Sequence, residues 1–234
     1  MADSPIHNTR CIEIVLDIHS KLALVSSANQ TKFGQMWHKT VATLCSFIKN
    51  KDYKTRNIAI NSLHKALLQN KSNANGTNNN RLIEAKKLLF ESDLFPVLLA
   101  LTRIENINNN NSTLRNKDDL RLKLLTLIFK VFLREITQFI EYSNKEFIDL
   151  WTKFLETIRE FVNMVKNDEI NGANIITHTQ ESVKNVILVF QSNDFFEMLS
   201  NNTNTNVWND TWNILKDIAP NLKQEFETDT DTTS

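Results

Sequence analysis

The sequence predicts an all-α protein, in which about eight helices stack as a HEAT-like or armadillo-like repeat. One segment places apolar residues three or four positions apart, so that they share one face of a helix. Its members are Phe147, Leu150, Trp151, Phe154, Leu155, Ile158, Phe161, Val162 and Val165. Similar segments recur at intervals of roughly 40 residues, which is typical of stacked helix pairs. The 234 residues include only three Gly and three Pro, too few for the turns of a β-rich fold.

The first helix is expected from Thr9 to Val25. The second, from Phe33 to Ile48, and the third, from Ile58 to Leu68, form a helical hairpin. A short basic elbow at residues 51–56 joins these two helices.

Residues 71–80 are polar and predict a flexible loop before a helix at residues 82–90. Pro96 disfavours helical geometry at Phe95, so we expect one helix to end and another to begin there. A second asparagine-rich loop is expected at residues 105–117.

The segment Leu120 to Ile140 is apolar nearly all round, which indicates a central helix with neighbours on several sides. Ser143 to Glu146 is a capping-box candidate that starts the apolar stripe helix. A third flexible loop is expected at residues 167–178, and the chain resumes as a helix near Thr179.

This helix continues to Leu199, and asparagines break the pattern at residues 201–206. A last helix follows, with Val207, Trp212 and Leu222 among its apolar residues. We expect residues 1–226 to form a single domain and residues 227–234 to form a disordered acidic tail.

Composition excludes several classes of function. The 27 basic and 27 acidic side chains balance, so no overall field attracts nucleic acid or an anionic membrane. The start of the sequence lacks the pattern of a secretory signal, and no apolar run reaches the length of a membrane span. We therefore expect a cytoplasmic protein that contacts membranes only peripherally. Cys11 and Cys45 lie in apolar helical patterns, where a thiol is usually buried.

No catalytic or metal-binding pattern is evident. The five histidines are scattered singly and never approach a ligand spacing with cysteine or carboxylate. The sequence contains no glycine-rich phosphate loop, no nucleophile elbow and no dinucleotide-binding fingerprint, and three glycines in all are too few to build one. We expect no catalytic residue, no metal site and no cofactor.

Two groups of residues are candidates for binding. A basic cluster suited to lipid phosphates comprises Arg115, Lys117, Arg121 and Lys123, although Asp118 and Asp119 interleave with it and favour a solvated helix start. The four tryptophans, Trp37, Trp151, Trp208 and Trp212, fall on apolar faces, where packing in the core is the commoner role. Trp208 and Trp212 are one turn apart, and they are the pair we select as a docking ridge.

Several motifs, in one order, resemble a known family. They are Met36 to Cys45, Arg56 to Leu63 with Leu67 and Leu68, Leu94 to Leu99, Phe147 to Trp151, Glu181 to Asn185, and Val207 to Asn213 with Pro220 and Leu222. Together they resemble the helical region downstream of the exchange-catalysing domain in the large Golgi-type Arf guanine-nucleotide exchange factors. The resemblance covers most of residues 33–226. The asparagine insertions depart from the family pattern, as in fungal loop expansions.

The resemblance implies a non-catalytic fragment of a larger exchange factor, without the domain that expels nucleotide from Arf. It implies a regulatory and targeting role at the cytoplasmic side of the Golgi in vesicle trafficking. The implied partners are small GTPases of the Arf or Rab type, Golgi membrane proteins and the rest of the parent factor. Lys184 and Asn185 join Trp208 and Trp212 as candidate residues for such contacts.

Two other functions stay open at this point. One is a general helical-repeat adaptor or transport receptor that binds peptide clients and has no relation to Arf. The other is direct lipid binding through the helix from Thr9 to Val25. That helix has few basic residues, Arg10 and Lys21, where a membrane-surface helix has many.

Overall fold

The computed structural model describes residues 5–25, 30–69, 80–109, 119–168 and 171–230, and all the regular elements in these ranges are helical. The predicted all-α class is confirmed. The described ranges contain eleven α-helices rather than about eight. The chain divides into two compact units, Met1–Gln138 and Phe139–Ser234, whereas the sequence predicts a single domain.

Unit 1 is built around its second helix. Its helices are α1 (Pro5–Val25), α2 (Gln30–Ile48), α3 (Tyr53–His64), α4 (Asn80–Leu89), α5 (Phe95–Asn109) and α6 (Leu120–Tyr142), the last of which crosses the unit boundary. Helix α2 packs against α1, α3, α4 and α5. It can do so because Val41, Leu44 and Ile48 bury one apolar face completely.

The predicted hairpin of α2 and α3 is present, but its elbow is not simply a basic surface. Asp52 caps α3, with its carboxylate accepting the backbone N–H of Thr55 at 2.7 Å. Arg56 is only 2% exposed, and its guanidinium donates to the carbonyl oxygens of Asn50 and Lys51. The arginine at the end of the elbow therefore closes the turn from inside.

The prediction of a helix break before Pro96 is wrong. Phe95 has helical angles (φ −65°, ψ −51°), and a π-helical turn, Phe90–Leu94, joins α4 directly to α5. The N–H of Phe95 donates to the carbonyl of Phe90, five residues back. This wider turn lies directly before the proline, which has no N–H to donate, so the chain stays helical through it. A second π-helical turn, Lys65–Gln69, continues α3.

Helix α6 is buried on several sides, as its sequence predicts. From Leu124 to Phe132, only Lys130 is exposed. Leu124, Leu125, Ile128 and Phe132 are completely buried. In unit 1, the ring of Phe132 meets that of Phe90 edge-on at 5.8 Å between centroids.

Unit 2 is built around the apolar stripe helix. Its helices are α7 (Asn144–Val165), α8 (Gly172–Ser192), α9 (Phe195–Thr203), α10 (Val207–Leu215) and α11 (Leu222–Thr230). Ser143 caps α7, as predicted, by accepting the N–H of Glu146. All nine residues of the predicted stripe are buried, and α7 packs against α8, α9 and α10.

The observed helices begin or end at residues other than those predicted for the three loops and for the tail. Helix α5 runs to Asn109, and α8 begins at Gly172 inside the predicted loop 167–178. A Cβ at Gly172 would lie 2.5 Å from the carbonyl oxygen of Val165, so the absence of a side chain permits this close approach. Helix α11 includes residues 227–230 of the predicted disordered tail. The rest of that tail, residues 71–79 and residues 110–117 lie outside the described part of the chain.

Polar residues flank the short helices α9 and α10 of unit 2. Asp194 and Asn204 both have φ of 54°, in the left-handed region that Asn and Asp tolerate better than other side chains. Asn206 then caps α10 by accepting the N–H of Asn209 at 3.0 Å. The break between helices is shorter than the predicted residues 201–206, because α9 continues to Thr203.

Candidate partner-binding surface

Lys184 and Asn185 lie on the outer face of α8, since Val183, Val186 and Ile187 point into the core. Asn185 is exposed. The Lys184 side chain is 36% exposed, and its ammonium contacts the Glu225 carboxylate of α11 at 2.7 Å. An exposed ion pair of this kind contributes at most about 1 kcal/mol to stability.

Trp208 and Trp212 lie side by side on α10. Their rings meet edge-on at 5.2 Å, and Trp208 also meets Phe196 edge-on at 4.9 Å. Trp208 is half-buried, whereas Trp212 is only 6% exposed. Of the two side chains, only Trp208 is partly exposed to solvent, and Trp212 is covered.

Helix α11 provides the cover. The ring of Phe226 lies 6.0 Å from that of Trp212, and Leu222 and Phe226 are both buried. Burial of such side chains contributes about 1.5 to 3 kcal/mol each. Because Glu225 reaches Lys184, α11 touches both of the candidate groups, one on α8 and one on α10.

The indole N–H of Trp212 is buried and has no hydrogen-bond acceptor among the residues that the structure describes. In contrast, the buried indole N–H of Trp151 donates to the Thr211 hydroxyl at 2.9 Å. A buried donor without an acceptor costs about 1 to 3 kcal/mol. Trp212 therefore differs from a fully satisfied core tryptophan.

The lipid-binding prediction is wrong for Arg121. This side chain is completely buried, and its guanidinium binds the Asp119 carboxylate and the side-chain oxygen of Asn106 at 2.6 to 3.2 Å. The guanidinium thus connects the start of α6 to Asn106 of α5, and Asp119 neutralises its charge. Lys123 is half-buried and donates to Asn57, and Arg115 and Lys117 lie outside the described residues.

The cysteines differ from each other. Cys45 is buried, as expected, but Cys11 is exposed on the outer face of α1. Burial, reinforced by the nearby Asp93 carboxylate and opposed by Lys49, raises the pKa of the Cys45 thiol far above its ordinary value.

No group of His, Cys, Asp and Glu that could hold a metal ion occurs among the described residues.

The role of α11 does not follow from the sequence prediction, in which the last helix ends near Leu222. A sequence signal for α11 is present: Leu222 and Phe226 are four residues apart, the spacing at which two side chains share a helical face.

None of the described helices combines the length and hydropathy needed to cross a membrane.

The fold defines an all-α helical region with several partly exposed polar and aromatic side chains. Residues 37–222 match the GBF1-like tetratrico peptide repeat region, and the chain belongs to this family. The model of this family describes a repeat region.

One curated relative extends this result. Over 197 residues the chain is 24% identical to the ARF guanine-nucleotide exchange factor GNOM of Arabidopsis thaliana. The match covers 82% of this chain but only 12% of the relative. No solved structure shows a significant match to the chain.

Proposed function

We propose that this chain is a regulatory and targeting region of a large Arf guanine-nucleotide exchange factor. The family match over residues 37–222 is the observation that carries the proposal. The similarity to one segment of a much longer protein, named as an ARF exchange factor, supports it. Nucleotide exchange is then the work of another part of the parent protein, and this region is not catalytic.

The region acts by recognition of partners. We infer that Asn185, Lys184 and Trp208 of unit 2 contact membrane-anchored small GTPases of the Arf or Rab type or Golgi membrane proteins. An exposed amide, a cation and a half-exposed indole offer hydrogen bonds, charge and apolar area together. Each added weak contact increases the avidity of the parent factor for the cytoplasmic face of the Golgi.

Direct lipid binding has less support, because Arg121 is buried and already paired with Asp119. The general adaptor alternative also has less support, because the relative that matches 82% of this chain is named as an ARF guanine-nucleotide exchange factor rather than as a peptide receptor.

The test uses the parent exchange factor with the double substitution Asn185→Glu and Trp208→Ser. We expect its Golgi-associated fraction in cells to fall, while the purified region keeps wild-type helicity by circular dichroism. Lys153→Glu, on the exposed face of α7, is the matched control and leaves recruitment unchanged. Unchanged recruitment of the double variant contradicts this surface, and lost helicity shows that its residues are structural.

A second arm identifies the partner class. Immobilised region is incubated with purified Arf or Rab proteins loaded with a GTP analogue or with GDP. Retention that depends on the nucleotide supports a GTPase partner. Separate flotation with protein-free liposomes of Golgi-like composition tests lipid, and we expect no flotation.

A further inference from the structure

We propose that the surface covered by α11, formed by Trp212 and Lys184, is a docking site for an acidic amphipathic helix of a partner, and that α11 is its internal competitor. This inference rests on the proposed role of unit 2 in partner recognition and specifies how that recognition is regulated. The occupant is defined by the chemistry of the helix that fills the site now.

The contacts of α11 give the first step of the argument. Leu222 and Phe226 are buried, with the Phe226 ring against Trp212, and Glu225 pairs with Lys184 across a half-exposed contact. Helix α11 has nine residues, a length at which an isolated helix is unstable in water. Because two of its described anchors lie within one turn, α11 can leave the surface as a unit without disturbing α7 and α8.

The unsatisfied indole N–H of Trp212 gives the second step. This donor is buried while α11 is in place, and it has no acceptor among the described residues. Helix α11 is therefore an imperfect cover. A partner helix that supplies an acceptor for this N–H, or leaves space for a water that accepts it, avoids the free-energy cost of the unpaired donor. Such a helix binds the surface without this cost, which α11 incurs.

The pattern of α11 specifies the partner. Two large apolar residues at positions i and i+4 match Leu222 and Phe226, and a carboxylate at i+3 matches Glu225 and complements Lys184. This is the usual way in which an amphipathic helix binds an apolar surface. We expect this partner to expose Trp212 by exchange with α11 rather than to bind beside it.

The experiment uses the full chain and a fluorescein-labelled peptide of residues 219–230 as the probe. The substitution Phe226→Ala weakens the internal helix, so we expect this variant to bind the peptide at least ten-fold more tightly than the wild-type chain does. Leu88→Ala, at an exposed leucine on α4 of unit 1, is the matched control and binds like the wild type. A peptide with Ala at the positions of Leu222 and Phe226 is expected not to bind.

Two results overturn the inference. One is failure of the peptide to bind a Phe226→Ala chain that has wild-type helicity. The other result needs no variant: it is amide hydrogen exchange in the wild-type chain that is as slow in α11 as in α7. We expect the α11 amides to exchange at least a hundred-fold faster than the α7 amides. Should Phe226→Ala fail to fold, the exchange measurement decides.

The peptide assay does not depend on the Golgi. If the peptide fails to bind but the Asn185→Glu, Trp208→Ser factor loses recruitment, only the competitor mechanism is wrong. If the peptide binds but recruitment is unaffected, only the targeting role is wrong.

Discussion

Arg56 of α3 and Glu105 of α5 form a buried ion pair of 2.7 Å in unit 1. The arginine also holds the α2–α3 elbow through the carbonyls of Asn50 and Lys51. One side chain thus fixes the geometry of a hairpin and joins it to a helix about 50 residues further along the chain.

This pair predicts a large and asymmetric effect of mutation. Arg56→Ala leaves the Glu105 carboxylate buried without its cation, and we expect a loss of about 3 to 5 kcal/mol in the free energy of unfolding. Lys21→Ala, which breaks an exposed pair with Asp17, is expected to cost less than about 1 kcal/mol. Urea denaturation followed by circular dichroism measures both. A loss below 1 kcal/mol for Arg56→Ala contradicts the prediction.

A second prediction concerns Trp151, whose indole N–H donates to Thr211 in the core of unit 2. Thr211→Val keeps the shape of the side chain but removes the acceptor, so we expect a loss of about 1 to 3 kcal/mol. Thr157→Val is the control, because the Thr157 hydroxyl donates only to a carbonyl within its own helix. Equal effects of the two substitutions on the urea midpoint would show that the tryptophan hydrogen bond is not the cause.

Helix α7 shows what could be predicted from the sequence. Its cap, its apolar face and its burial follow from residues within one segment, so Ser143 and all nine stripe residues were assigned correctly. Local patterns of this kind predict the all-α class and most helices without knowledge of the neighbours.

The buried charges show why the rest could not be predicted. Arg121 and Arg56 look like surface cations in the sequence, because burial of a charge depends on partners that are distant along the chain. Glu105 lies 49 residues from Arg56, and Asn106 lies 15 residues from Arg121. The same limit applies to the candidate site. Trp208 and Trp212 can be selected from the sequence, but the cover of Trp212 by Phe226 depends on a tertiary contact.

A third prediction distinguishes the two thiols. In the native chain, we expect one cysteine to react with Ellman's reagent, because Cys11 is exposed while burial raises the pKa of the Cys45 thiol. Both cysteines react in denaturant. The Cys11→Ser chain should show no rapid reaction, and rapid reaction of that variant would show that the α2 core opens readily.

The last prediction is a dependence of stability on pH at the contact of α1 with α2. His19 of α1 is 2% exposed and lies 6.2 Å, between ring centroids, from Trp37 of α2. Burial lowers the pKa of His19 below its ordinary value of 6.5. The unfolded chain therefore binds a proton at a higher pH than the folded chain does.

The sign of the effect follows from this difference. The contribution of neutral His19 is fully present above pH 6.5, the pKa in the unfolded chain, and is lost as the pH falls towards and through the lower pKa of the folded chain. We expect the urea midpoint of the wild-type chain to decrease over this interval more than that of a His19→Gln chain, which has no proton to take up. The difference between the two profiles isolates His19 from the carboxylates that titrate at lower pH. Parallel profiles between pH 7 and pH 5 would show that protonation of His19 does not open the α1–α2 contact.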